Sequence, residues 1–92
     1  MNFEVLVHRK ARAYLDKLPE PVRDRIKNGL SELEDDPFTP RPKADILKLT
    51  GTKDRDHAYR LRVGDYRAVY GIEKKKVFVT LIFHRGKDYQ EI

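Results

Sequence analysis

Hydrophobic positions in the first third of the chain follow a strand pattern and then two helix patterns. Phe3, Val5 and Val7 alternate with other residues, which predicts a strand over residues 3–7. Apolar residues then recur at helical spacing in two stretches, namely Ala11, Tyr14, Leu15 and Leu18, and Val22, Ile26, Leu30 and Leu33. Pro19 and Pro21 separate the stretches, because proline ends one helix and suits the first turn of the next. The pattern predicts a strand followed by a helical hairpin that packs on a sheet.

The rest of the chain is typical of β-structure. Three prolines make residues 36–43 a connector, because proline fits neither a helix interior nor a central strand. We expect strands over residues 45–50, 58–63, 66–72 and 77–84, a polar loop over 51–57 and a turn at 73–76. Gly64-Asp65 has glycine first, as a two-residue type II′ hairpin turn requires. The predicted order is β-α-α-β-β-β-β, an α+β fold with a mostly antiparallel sheet and the helices on one face.

Length and composition narrow the class of protein. Ninety-two residues suit one domain spanning 1–92, and the absence of cysteine excludes disulfides and cysteine-ligated zinc. No apolar stretch approaches the ~20 residues of a membrane span, and the first residues lack a signal-peptide pattern. We therefore expect a small cytoplasmic domain with no membrane partner.

Positive charge is concentrated in the second half of the chain. Residues 1–46 hold nine Lys/Arg and nine Asp/Glu, whereas residues 47–92 hold eleven and six, so the whole net charge of +5 lies there. A one-sided basic excess is typical of a protein that binds a phosphate backbone or an acidic partner. A charge-rich surface in a heat-adapted protein would be the structural alternative.

The predicted hairpin sorts its side chains into two faces. Across Gly64-Asp65, Val63 pairs with Tyr66 and Arg62 with Arg67. One face is then apolar and aromatic, with Tyr59, Leu61, Val63, Tyr66, Ala68 and Tyr70, and the other holds Arg60, Arg62 and Arg67.

The arginine face predicts an anion site. Like charges directly opposite each other destabilise a sheet unless an anion lies between them, and the three last strands place no acidic residue at the matching positions. Pairing of Ile72 with Val77 would put His84 on this face as well, with Arg85 where the strand ends. Guanidinium groups suit phosphate because each offers a planar, bidentate edge of donors.

Three segments together resemble the RelE/ParE toxin superfamily, and in particular its RelE-like, mRNA interferase branch. They are Lys48-Leu49-Thr50-Gly51, the run from Tyr59-Arg60-Leu61-Arg62 through Tyr66-Arg67-Ala68-Val69-Tyr70, and His84-Arg85 followed by Tyr89. The resemblance implies the toxin of a type II toxin–antitoxin pair that inhibits translation. Such toxins cut mRNA in the ribosomal A site by attack of the ribose 2′-OH, without metal or other cofactor. The implied partners are a RelB-like antitoxin, the ribosome and mRNA.

The resemblance also implies roles for individual residues. Arg67 corresponds to the arginine beside the attacked phosphate, Arg85 to the one that stabilises the transition state, and Tyr89 to the tyrosine that orients or deprotonates the nucleophile. Arg62 is included in the catalytic set, and the residues expected to bind RNA are Arg60, Arg62, Lys48, Lys53 and His84. Some relatives carry lysines at positions 60 and 62. Because arginine keeps its proton, Arg60 and Arg62 would bind phosphate without acting as bases.

Several alternatives stay open on the sequence alone. The general base could be Tyr89 or His84, and Tyr89 could equally be a packing aromatic. The function could also be that of ParE-like toxins, which share the fold and act on DNA gyrase. A third possibility is a non-catalytic RNA-binding module that uses the same basic face.

Overall fold

The computed structural model describes residues 2–49 and 58–86, in five strands and two helices. The elements are β1 (Glu4–Val7), α1 (Arg9–Asp16), α2 (Glu20–Glu32), β2 (Asp45–Lys48), β3 (Ala58–Val63), β4 (Tyr66–Glu73) and β5 (Lys76–His84). The predicted order of elements and the α+β class are confirmed. The loop predicted over 51–57 lies outside the described residues.

Local sequence explains where the helices begin. His8 precedes α1, and its Nδ1 accepts a hydrogen bond from the backbone N–H of Lys10 at 3.1 Å. Pro19 is the N-cap of α2, and Pro21 lies in the first turn, where a missing N–H costs nothing. The two helices therefore follow each other with only a short break.

The sheet has the order β1-β5-β4-β3-β2. The pair β1–β5 is parallel, and the other neighbouring pairs are antiparallel. Both helices pack on one face, α1 against β5 and α2 against β3. We call the opposite face, which carries Arg60, Arg62 and Arg67, the outer face.

A single core lies between the helices and the sheet. Helix residues Ala11, Leu15, Ile26 and Leu30 meet sheet residues Leu61, Ala68, Tyr70, Val77, Val79 and Ile82 there. The approach of α2 to β3 is close at Gly29, where an added Cβ would lie 2.8 Å from Val63 Cγ2. In the described ranges, no helix is long and apolar enough to cross a membrane.

The proline-rich connector is held against this core. The hydroxyl of Tyr70, fully buried, donates to the carbonyl of Pro37 at 2.8 Å. The guanidinium of Arg41 donates to the carbonyls of Glu32, Asp36 and Thr39 at 2.7–2.9 Å. These bonds fix the chain between the end of α2 and the start of β2.

Candidate functional site on the outer face of the sheet

The β3–β4 hairpin brings Arg62 and Arg67 directly opposite each other, as the sequence predicts. Gly64 has a φ of +60° at the first turn position, and Asp65 is not among the described residues with positive φ. This combination matches the type II′ turn expected for Gly64-Asp65. The turn therefore fixes the register that places two guanidinium groups side by side.

Asp45 is a carboxylate within this cluster that the sequence pattern did not reveal. In β2, Asp45 pairs with Arg62 and thus lies on the outer face. Its Oδ1 is 3.2 Å from Arg60 Nη2, and its Oδ2 is 3.8 Å from Arg62 Nη1. The expectation that these arginines lack carboxylate partners considered only β3, β4 and β5, and the acidic partner comes from β2. Alternation of Asp45 and Leu47 around core residue Ile46 was the signal that could have found it.

Arg67 lies at the centre of the positive cluster. Its Nη1 donates to the carbonyls of Gly64 and Tyr66, both at 3.3 Å, so the guanidinium lies over the turn. Partial burial is the largest cause that lowers the pKa of Arg67, and the positive charges of neighbouring arginines lower it further. Those neighbours are Arg62, Arg60 and Arg85, while Asp45 acts in the opposite direction. An arginine stays charged despite such a shift, so the cluster is a fixed positive centre.

Arg85 joins the cluster from the end of β5. Its backbone N–H donates to the carbonyl of Asp65 at 2.8 Å, and its Nε is 3.7 Å from Asp65 Oδ1. These contacts attach the residue to the hairpin turn next to Arg67. Both side chains of this ion pair are more than half exposed, so the attraction is weak and Arg85 can exchange Asp65 for another anion.

The predicted position of His84 on the arginine face is wrong because β5 contains a bulge. Tyr70 pairs with Val79 and Val69 with Leu81, which leaves Thr80 as an extra residue. Since side chains alternate between the faces of a strand, one extra residue reverses the faces that follow. His84 therefore pairs with Tyr66 on the helix-covered face, with ring centroids 5.0 Å apart.

Because of the bulge, Phe83 is the residue of β5 that pairs with Arg67. Phe83 was not expected on the outer face, since a strand without a bulge would have turned its side chain toward the core. His84 Nδ1 instead lies 2.8 Å from the backbone carbonyl oxygen of Arg85, which accepts a hydrogen bond from it. A role for His84 as base at the arginine cluster has no geometric support.

The structure does not bring Lys48 together with the arginines. Lys48 pairs with Tyr59, so its side chain leaves β2 on the helix-covered side of the sheet. Lys53 and Tyr89, the other predicted site residues, lie outside the described residues. Of the eight predicted positions, Arg60, Arg62, Arg67 and Arg85 form the cluster.

A cleft of about 280 Å³ opens on the outer face beside this cluster. It is lined by Leu47, Leu49, Val69, Phe83, Gly86 and three of the four arginines, Arg60, Arg67 and Arg85. The Nε of Arg60 is buried and has no hydrogen-bond partner among the described residues. The arrangement can bind an anion beside an apolar surface. In the described part of the chain, no three His, Cys, Asp or Glu side chains converge as metal ligands would.

Comparison with known proteins gives a family and a fold. The family model described as the ParE toxin of the type II toxin–antitoxin system parDE matches residues 5–89. The crystal structure of the archaeal RelE–RelB complex from Pyrococcus horikoshii contains a chain 32% identical, covering 95% of this chain and 99% of that one, with a TM-score of 0.77. The RelB–RelE complex from Methanococcus jannaschii matches at 25% identity, 95% and 98% coverage and a TM-score of 0.71.

A bacterial structure shares the fold at lower identity. The isolated RelE toxin from E. coli matches at 24% identity, 97% and 93% coverage and a TM-score of 0.60. Among curated protein sequences, none matches the chain.

Proposed function

Because this chain is a type II toxin of the RelE/ParE superfamily with a RelE-like structure, we propose that it is a ribosome-dependent endoribonuclease that cuts mRNA in the A site. The observation that carries the proposal is the arginine cluster. Three of its members line one cleft, and the positive charges of three neighbouring arginines contribute to the lowered pKa of Arg67. Two carboxylates, Asp45 and Asp65, contact members of the four-arginine cluster, so positive charge dominates and suits a phosphate.

The proposed reaction is a transfer at phosphorus that needs no cofactor. The ribose 2′-oxygen forms a bond to the phosphorus of its own 3′ phosphate, and the bond to the 5′-oxygen of the next nucleotide breaks. Overall, the 2′-OH loses a proton and the departing 5′-oxygen gains one, which leaves a cyclic phosphate. In this proposal Arg67 holds the phosphate and Arg85 stabilises the added negative charge. Tyr89 is the base proposed from the sequence.

We expect cleavage to depend on the ribosome, because the arginine cluster has no general base and does not by itself align the reacting atoms of the RNA. Stabilising one negative centre is worth about 10²–10³ in rate per donor. Alignment of the 2′-OH with the leaving oxygen can contribute more, and free RNA does not hold that alignment. Arg60 and Arg62 cannot act as bases, and Asp45 is engaged by both of them. We therefore expect efficient cleavage only where the ribosome holds the RNA in the reactive geometry.

The test is primer extension on a defined mRNA, with and without programmed ribosomes. We expect cuts inside the reading frame when ribosomes are present, and almost none on the naked RNA. Arg67→Ala should abolish the cuts and growth arrest while the fold is kept, because Arg67 is on the outer face and its removal relieves repulsion with Arg62. Arg9→Ala, which removes an exposed arginine from α1, is the matched control. Wild-type toxicity in Arg67→Ala would refute the phosphate role.

Inhibition of DNA gyrase is the second candidate, because the matching family model is that of the ParE toxin. Gyrase–DNA complexes trapped by the protein, with mRNA intact in the same cells, would support it. Codon-linked cuts with free gyrase would support the endoribonuclease.

A RelB-like antitoxin is the proposed protein partner. The archaeal relatives from P. horikoshii and M. jannaschii were crystallised with RelB. The edge strands β1 and β2 each have one unpaired side in the described sheet, where a partner segment could add. We expect co-expressed antitoxin to bind the toxin and to prevent mRNA cleavage in the cytoplasm. Full cleavage by the bound complex would contradict this.

A further inference from the structure

The cleft beside the arginine cluster is apolar at its floor and cationic at its rim. Its apolar side chains include Leu47 from β2, Val69 from β4 and Phe83 from β5, and its charged ones are Arg60, Arg67 and Arg85. Val69 and Phe83 are 8% and 4% exposed, whereas Leu47 is 50% exposed. Phosphate binding by arginine does not need such a floor, so the floor points to a ligand with an apolar part.

Leu47 is the least expected of these side chains. It lies on an edge strand, directly across from Arg60, where charged residues usually protect a sheet from unwanted pairing. Phe38 and Phe78 are the other large hydrophobic residues that are exposed in the described part of the chain. Leu47 is therefore an exposed apolar surface placed beside positive charge.

We propose that this cleft holds one nucleobase of the RNA, next to the phosphate that the arginines bind. The inference rests on the proposed function and extends it to the nucleotide that the site holds. A base is a flat ring with an apolar face, and its phosphate is at a fixed short distance, so an apolar floor beside a cationic rim matches one nucleotide. The charge of the rim favours a nucleic acid over an apolar peptide. A volume of about 280 Å³ lies at the small end of ligand sites, which suits a single base.

The lining also predicts how the base is read. The charged groups of the cleft are all guanidinium groups, which only donate hydrogen bonds. Arg60 Nε is a buried donor without a partner among the described residues. Any base can place its face against Leu47, the exposed apolar side chain of the cleft, and bases with carbonyl or ring-nitrogen acceptors toward the rim gain a further bond.

The test compares two ligands that differ only in the base. One is a dinucleotide with a 2′-O-methyl group, which blocks cleavage, and the other is its abasic counterpart. Both are titrated into the full-length protein by NMR or fluorescence. Leu47→Ala should weaken binding of the base-containing ligand about five- to tenfold, at the lower end of what loss of a base-stacking side chain causes. It should leave binding of the abasic ligand unchanged within twofold.

Controls separate the base from the phosphate. Phe78→Ala removes another exposed side chain from the outer face, 37% exposed and paired with Gly71 away from the arginines, and should change neither affinity. Leu47→Met keeps an apolar side chain at this position and should restore most of the affinity for the base-containing ligand that Leu47→Ala loses. Arg67→Ala should weaken both ligands by the same factor, because it removes a phosphate contact.

Each remaining outcome decides the matter. Equal weakening of both ligands by Leu47→Ala would overturn the proposal and make Leu47 a support for Arg60. No weakening of either ligand would also overturn it, and loss of antitoxin binding in the same variant would show that Leu47 contacts a protein partner instead. If base-dependent binding is found but programmed ribosomes give no cleavage, the nucleotide site stands and the endoribonuclease proposal fails.

Discussion

Asp45 restrains the positive cluster, so neutralising it should strengthen RNA binding. Its carboxylate lies 3.2 Å from the nearest Arg60 nitrogen and 3.8 Å from the nearest Arg62 nitrogen. Asp45→Asn keeps the shape of the side chain and removes its negative charge. In this variant no carboxylate competes with a bound phosphate for the guanidinium groups of Arg60 and Arg62. The repulsion between the carboxylate and the phosphate is also removed.

The size of the effect follows from the spacing of the strands. Asp45 pairs with Arg62, which pairs in turn with Arg67, and neighbouring strands are about 4.8 Å apart. A phosphate between Arg62 and Arg67 would then be roughly 7 Å from the Asp45 carboxylate. At an effective dielectric constant between about 40 and 80, repulsion at this distance is about 0.6–1.2 kcal/mol. Removing it should tighten phosphate binding roughly three- to eightfold.

The cost to the fold should be small. Asp45 is 53% exposed and Arg62 is 50% exposed by side chain, and exposed ion pairs contribute at most about 1 kcal/mol each. Arg60, at 22%, is less exposed and is the partner more affected by the loss. We expect the free energy of unfolding of Asp45→Asn to fall by no more than about 1 kcal/mol.

The assay is fluorescence anisotropy with a labelled RNA oligonucleotide carrying 2′-O-methyl groups. The gain in affinity should be largest near 0.05 M salt and should shrink toward 1 M, where the screening length falls to about 3 Å. Asp24→Asn, on the exposed surface of α2, makes the same charge change away from the outer face and is the control. Unchanged or weaker binding by Asp45→Asn at low salt would refute the reasoning and show that Asp45 orients the arginines.

Three further substitutions test the scaffold, each by urea unfolding. Gly29→Ala should destabilise the protein by about 1–3 kcal/mol despite better helix propensity, because the new Cβ would lie 2.8 Å from Val63 Cγ2, and Val63→Ala should rescue it. Tyr70→Phe should cost about 1–2 kcal/mol, since the carbonyl of Pro37 loses its 2.8 Å bond; an unchanged midpoint would mean that water replaces the hydroxyl. Lys74→Gly should stabilise by roughly 0.5–1 kcal/mol because Lys74 has a φ of +60°, and a lower midpoint would contradict this.

The sequence predicts the β3–β4 hairpin well because the residues of the turn itself determine how the two strands pair. A two-residue turn with glycine first allows one register, and that register decides which side chains share a face. The pairing of Arg62 with Arg67 and the apolar face with Tyr59 and Tyr70 are accordingly confirmed. Helical spacing likewise locates both helices.

Two features of the site cannot be predicted from short stretches of sequence, namely the bulge in β5 and the register between β2 and β3. The extra residue at Thr80 follows from pairing along the whole β4–β5 hairpin, and no glycine marks it. The β2–β3 register depends on packing of Ile46 in the core, because the long connection between these strands does not fix it. The first feature moves His84 away from the arginines and Phe83 toward them, and the second adds Asp45 and Leu47.

The arginine cluster can exist because the helices cover only one face of the sheet. With 8 and 13 residues, α1 and α2 are about 12 and 20 Å long, enough to cover one face of five strands. An antiparallel sheet tolerates this, since its second face can remain in water. On that face a guanidinium group keeps much of its hydration until a ligand replaces it, so water weakens the repulsion between the like charges of Arg62 and Arg67 while the site is empty. An anion that binds between the two guanidinium groups removes the repulsion that remains, so the facing arginines favour the anion-bound state.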